Sequence, residues 1–160
     1  PAGRSLVDRV GAGAAPPDKG QIEGLQIFIR PEKKDLTPQV EFHELAEVHS
    51  FTNWRMIASP ETDDGLLKLR SETWIFDRKL NTEKNISLPN LHSEKLTLLL
   101  YVFKGSISLN GSLEASKGES FLIKNETISI DSNEAELVLF VTNENAEIFK
   151  GGMYSGNQLN

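Results

Sequence analysis

The chain of 160 residues has no cysteine. That excludes disulfides, thiolate zinc sites, iron–sulfur clusters and a cysteine nucleophile. Only three histidines are present, which is little material for a histidine-rich metal centre. Long apolar runs are also missing. The longest, residues 96–103, is interrupted by Thr97 and is far shorter than the ~20 residues that span a bilayer as a helix. Residues 1–15 contain no apolar core of a signal peptide, so the cytoplasm is the expected compartment. Basic charge is in deficit, with a net charge of −6. A dedicated nucleic-acid binder would present a basic face, so neither nucleic acid nor membrane is an expected partner. The Asn-x-Ser/Thr sites at Asn85, Asn110 and Asn125 matter only in a secretory pathway.

What is present is the material of one domain. Hydrophobic residues make up 38% and charged residues 25% of the chain. A chain of this size can bury roughly 68–70% of its unfolded surface without a covalent staple. Residues 1–21 carry Gly11-Ala12-Gly13-Ala14-Ala15-Pro16-Pro17-Asp18-Lys19-Gly20, which has turn formers and no periodicity, and read as an extended arm. The start at Pro1 suggests a processed or incomplete N-terminus. Residues 22–150 read as β throughout, and residues 151–160 as a flexible tail.

Within the β region, residues 25–29 predict a buried strand stopped by Pro31. Short strands are expected near 40–42, 54–58, 66–70, 73–80 and 86–88. In the second half, 98–103, 106–109, 112–115, 120–123, 128–130 and 136–141 follow. Asn110-Gly111 lies between two alternating runs, the strongest local sign of a hairpin, because both turn residues need positive φ. Asp131-Ser132-Asn133 predicts a turn. Short strands at even spacing, with no long helical repeat, argue for an antiparallel sandwich or barrel. A short helix near 36–48 or 90–95 is compatible with the pattern but not required by it.

Several constellations fail on inspection. Gly11-Ala12-Gly13-Ala14-Ala15-Pro16 lacks the third glycine of a dinucleotide fingerprint and its βαβ context. No Gly-x-Ser-x-Gly elbow exists. Asp63-Asp64 sits before Gly65 and reads as turn chemistry. His43 and His49, with Glu41, Glu44 and Glu47, contain hard-metal donors but read as a solvated acidic segment. Trp74, His92 and Tyr101 are the pocket candidates: two amphipathic aromatics and a polar handle for a barrel mouth, suited to a small aromatic ligand.

Gly24-Leu25-Gln26-Ile27-Phe28-Ile29-Arg30-Pro31-Glu32-Lys33 resembles the strand that opens the C-terminal barrel of pirin-like bicupins, the quercetin 2,3-dioxygenase-like family. Ser59-Pro60-Glu61-Thr62-Asp63-Asp64-Gly65-Leu66 is similar to that family's Ser-Pro…Asp-Gly loop. Val102-Phe103-Lys104-Gly105-Ser106-Ile107-Ser108-Leu109-Asn110-Gly111 resembles its Lys-Gly…Asn-Gly hairpin, with Gly118-Glu119 and Ile128-Ser129-Ile130 following in order. The resemblance covers about residues 22–142 and implies an all-β, cupin-type (RmlC-like) jelly-roll barrel with an N-terminal extended arm.

The family carries two barrels. Its N-terminal one holds a metal, usually iron, through three histidines and a glutamate; its C-terminal one usually lacks it. Tested against the general cupin motifs, this chain has Leu98 at the glutamate position if the motif glycine is Gly105, and Ser129 at the second-motif histidine position counted from Gly118. Only His92 lies near the first histidine pair. In the stretch before the Leu-Gln strand, Pro16 stands where the family has histidine and Asp18 where it has glutamate. One imidazole cannot hold a first-row metal. No catalytic residue, metal ligand or cofactor is therefore expected in this chain, with iron expected only in a missing N-terminal barrel. The resemblance implies a metal-free binding or assembly module, working as a homodimer or against a partner cupin barrel. The alternative is one part of a metal-dependent dioxygenase whose metal barrel is absent here. A small-molecule sensor built on Trp74, His92 and Tyr101 is a third reading.

Overall fold

The computed structural model describes residues 23–61, 67–91 and 95–151. Among them there is no helix, and the strands are β1 (Arg55–Ser59), β2 (Leu67–Lys68), β3 (Thr73–Leu80), β4 (Glu83–Ser87), β5 (Leu96–Leu109), β6 (Leu113–Ser116), β7 (Ser120–Lys124) and β8 (Ser129–Asn143). They form one sheet in the order β2-β1-β3-β8-β5-β6, with β4 also on β8 and β7 also on β5. β1 and β2 run parallel; the other pairs are antiparallel.

Two long strands organise everything else. β5 and β8 pair along nearly their whole length, from Leu96↔Asn143 to Leu109↔Ile130. Each shares its outer edge between two short strands. β3 takes residues 135–142 of β8 and β4 takes 129–132. β7 takes residues 97–101 of β5 and β6 takes 106–109. Register shifts on β5 at Phe103 and between Ser106 and Ile107 mark the middle of this ribbon. Bulges bend a strand and increase its twist. Side chains from both halves then meet in one core: Leu100, Val102, Leu137 and Leu139 from one half, and Ile107, Leu109, Ala115 and Ile130 from the other. The result is a jelly-roll-like arrangement rather than a closed barrel.

Gly105 sits at the bend. Its φ is +74°, and a Cβ there would lie 1.9 Å from the Glu134 carbonyl oxygen. Only glycine fits this conformation and this approach. The Asn-Gly hairpin forms as expected between β5 and β6, with φ of +50° at Asn110 and +66° at Gly111. The Ser112 N–H donates to the Leu109 carbonyl at 3.1 Å. β3 matches the predicted strand from Thr73 to Leu80.

Two expectations need correction. Residues 25–29 and 40–42 are not strands; no residue from 23 to 53 is in the sheet. Leu25 and Ile29 are half-buried, while Ile27 and Phe28 are exposed. β1 is paired on one side by β3 and on the other, at Ala58 and Ser59 alone, by β2; residues 25–29 make no ladder with what remains of that edge. The segment is instead fastened at points. The Glu32 N–H donates to the Arg70 carbonyl (2.7 Å), the Phe149 N–H to Pro31 (2.9 Å) and the Lys79 N–H to Ser50 (2.8 Å). Second, Asp131-Ser132-Asn133 is no turn but the interior of β8. Its polar groups find partners across strands: Asp131 accepts from the Asn85 N–H at 2.8 Å, and the Ser132 hydroxyl donates to the Ser106 carbonyl at 3.3 Å.

Candidate functional site

Side chains alternate across a strand, so the register sorts residues into two faces. Phe76, Leu139 and Leu100 align across β3, β8 and β5 and point into the core. Their neighbours point the other way. On that outer face lie Asp77 and Val138 beside Tyr101, then Lys79 and Glu136 beside Lys104. Arg55 of β1 aligns with Asp77.

The segment before β1 lies against this face and bounds, with the sheet, an open cavity of about 360 Å³. Leu25, Ile27 and Val48 line one wall; Phe103 and Val138 line the sheet side. At one end stands a charge cluster. Glu136 receives the Lys79 ammonium on Oε1 at 3.2 Å and the Lys104 ammonium on Oε2 at 3.2 Å. The Nε2 of His49 lies 3.9 Å from Oε1. Lys79 Nζ also stands 5.8 Å from the Phe51 ring centroid, within cation–π range. Burial pushes the Glu136 carboxyl upward, but the hydrogen bonds and charges of Lys104 and Lys79 outweigh it and hold the group below its ordinary range.

Arg55 fastens the crossing segment. Its Nε donates to Asp77 Oδ1 at 2.9 Å, and its Nη2 pairs with the other carboxylate oxygen. Its remaining donors reach the carbonyls of Glu47 (2.6 Å) and Val48 (3.3 Å). The Asp77 hydrogen bond is the main reason the guanidinium is raised above its ordinary value. The Ser50 hydroxyl donates to the Asn53 carbonyl at 2.8 Å. The arrangement is one of charge recognition beside an apolar wall.

Of the residues singled out from sequence, Trp74 and Tyr101 fall on opposite faces of the sheet, and His49 joins the Glu136 cluster. Trp74 packs against the core on the inner face, and its Nε1 donates to Glu61 at 3.3 Å. Tyr101 lies between core residues Leu100 and Val102 and therefore faces outward, opposite to Trp74. His92 lies outside the described residues, as do Pro16, Asp18 and Asp63-Asp64. His43 is exposed and His49 half-buried against Glu136. Among the described residues no three His, Asp or Glu side chains come together in a way that would hold a metal. Leu98 packs against the core, and the Ser129 N–H donates to Asn110 Oδ1 at 2.9 Å. Among the described residues the donors do not make an iron centre of three histidines and a glutamate. Sequence reasoning missed Lys79, Lys104 and Glu136, because only the β3–β8–β5 register brings them together.

Comparison with known proteins now has a geometry to meet. The chain matches YhhW from Escherichia coli at 25% identity, covering 70% of this chain and 46% of that one, with a TM-score of 0.59. Bacterial pirin YhhW from Escherichia coli in complex with nickel(II) matches at 25% identity over 71% of this chain and 47% of that one, with a TM-score of 0.58. The chain thus spans less than half the length of these structures. No curated protein matches it. No helix among the described residues is long and apolar enough to cross a membrane. The profile of the quercetinase C-terminal cupin domain matches residues 56–142, more than half of the chain and the whole body of the sheet from β1 to β8, and the chain belongs to that pirin-like cupin family.

Proposed function

We propose that this chain is a binding and assembly module that docks onto another cupin barrel and performs no catalysis of its own. One observation carries the reading: large apolar side chains stand in solvent along the segment before β1. Phe42 is 95% exposed, Val48 82%, Val40 77% and Phe28 69%. Scattered exposed apolar residues are ordinary, but a concentration of them on one segment marks an interaction surface. Fully burying a side chain of this size contributes about 1.5–3 kcal/mol. Four of them approach 10 kcal/mol, comparable with the roughly 4–15 kcal/mol that association costs. That supports a moderate docking surface, with a second copy of the chain as its simplest occupant when the chain is alone. The spans of 46% and 47% of the pirin chains agree with a module that works beside a second barrel.

Light scattering over a wide concentration range tests the proposal. A dimer is expected, weakened by joint replacement Val40→Ser and Phe42→Ser. A strictly monomeric mass at high concentration would sink it.

A second reading keeps the chain inside an enzyme: one part of a metal-dependent, quercetin 2,3-dioxygenase-type protein whose chemistry resides in another barrel. The match to a quercetinase domain favours it. Sequence upstream of Pro1 with His-x-His spacing would support it. Absence of oxygen uptake with a flavonol by the iron-loaded protein that includes such upstream sequence would count against it.

A further inference from the structure

The cavity on the outer sheet face has a use that docking does not absorb. We infer that it is a binding site for a small monocarboxylate with an apolar, single-ring body, its carboxylate held by Lys79 on the cavity lining and by Lys104, which does not line the cavity but reaches its Glu136 at 3.2 Å, with its ring against Val138 and Phe103.

Charge arithmetic supports the anionic head. Asp77 is neutralised by Arg55 through a two-pronged contact. Glu136 alone faces two ammoniums at 3.2 Å each, with His49 at 3.9 Å. Two permanent cations around one carboxylate leave a surplus of one positive charge in this cluster. An ammonium has three donors, and the contact with Glu136 uses one on each lysine. A ligand carboxylate meets donors already gathered, beside a wall that lowers the local dielectric, where charge-assisted bonds are strong.

Shape supports the apolar body. Leu25, Ile27 and Val48 from the crossing segment face Phe103 and Val138 from the sheet across the cavity. Its volume of about 360 Å³ sits at the small end of ligand pockets, which run roughly 300–1,000 Å³. One ring fits where a larger fused system would be crowded. Of the four side chains that carry the docking reading, Val48 lines this cavity while Phe28, Val40 and Phe42 do not, so variants confined to those three keep the failure of this site and the failure of the docking reading separable.

Glu136 makes the proposal sharply testable, because it competes with the ligand for the same two lysines. The probe is 3-phenylpropionate, with its neutral amide as control, followed by calorimetry and by amide shifts in NMR. The carboxylate is expected to shift the Lys79, Lys104 and Val138 amides and to bind at least about tenfold more tightly than the amide, the factor that 1.4 kcal/mol of charge-assisted bonding supplies. Lys104→Gln, at a half-exposed position that tolerates exchange, weakens the acid and leaves the amide unchanged. Glu136→Gln tightens the acid, since a rival acceptor loses its charge. Equal binding of acid and amide, shifts confined to other faces, or weaker acid binding in the Glu136→Gln variant would each overturn the assignment.

Discussion

Gly105→Ala isolates the strain that lets the β5–β8 ribbon bend. Two costs add. An alanine at φ +74° enters the left-handed region at about 1–2 kcal/mol. Its methyl would also lie 1.9 Å from the Glu134 carbonyl oxygen and 2.9 Å from the Glu134 carbonyl carbon. Those atoms are backbone and cannot swing aside as a side chain tip can. Gly105 itself is pinned, being paired with Ala135 and accepting from the Lys117 N–H at 2.9 Å. Forcing extra volume into such a place costs roughly 1–3 kcal/mol. The total, about 2–5 kcal/mol, is a large part of the ~5–15 kcal/mol that holds a domain folded. It corresponds to a Tm loss of roughly 4–20 °C at this chain length. Gly111→Ala is the internal control: φ is +66° there, but nothing lies within 4 Å of the added Cβ. It carries the conformational cost alone, about 1–2 kcal/mol. Urea titration of both variants reads the difference as the steric share. If the Gly105 variant loses no more than the Gly111 variant, the close approach to Glu134 is not what demands glycine, and the account of the bend fails.

Two further perturbations probe the outer face. Glu136 has its folded pKa lowered by Lys104 and Lys79 against the opposing push of burial. Its stabilisation is therefore fully present above the unfolded carboxylate value of about 4.3 and is lost as pH falls through the folded value. Urea midpoints measured down the acid range should fall less steeply in Glu136→Gln than in the parent; parallel curves would refute the coupling. Arg55→Ala removes the fork on Asp77 and both carbonyl contacts to residues 47 and 48, at about 1.5–3 kcal/mol for bonds to a charged group. Hydrogen exchange should show the Lys79 amide, which donates to Ser50, losing protection with the segment it holds. Unchanged protection there would mean that Arg55 is not the fastener.

The parts legible in the sequence are those whose cause is local. Asn110-Gly111 sets its own turn because both residues accept positive φ, and residues 73–80 form a strand that flanking turn formers bound. Residues 25–29 misled because an apolar β-prone run reports a wish to be covered, not the partner that covers it. The outer edge of β1 is taken only at Ala58 and Ser59, by the two-residue β2. Asp131-Ser132-Asn133 misled for the converse reason. Turn formers predict a turn when their polar groups have no better partner, and here Asn85 and Ser106 supply better ones from distant strands. The cavity was illegible for a third reason. His49, Lys79, Lys104 and Glu136 have no spacing in common; the β3–β8 register sets Lys79 opposite Glu136, and the shift at Phe103 sets Lys104 there.

That same register ties the two proposals to one physical fact about the outer face. A sheet with its core on one side can leave the other to water, and then polar residues alternate outward. Here the outward row of Ile75, Phe140, Leu99 and Leu122 is apolar across four strands. Ile75 is buried, whereas Leu122, at the β7 end of the row, is half exposed. The outer face is thus covered at one end and open at the other. The segment that provides cover near the Glu136 cluster is itself apolar on its far side, at Val40 and Phe42. A layer that buries one face and exposes another must either be covered in turn or pay in solubility. Covering Val40 and Phe42 by a second barrel would press the segment onto the sheet and seal the cavity beneath it. Ligand occupancy and association should therefore strengthen one another, since each orders the same segment. Raising the 3-phenylpropionate concentration should shift the light-scattering mass toward dimer in the parent and not in Lys104→Gln; a mass indifferent to the acid would show that the two faces of the segment act independently.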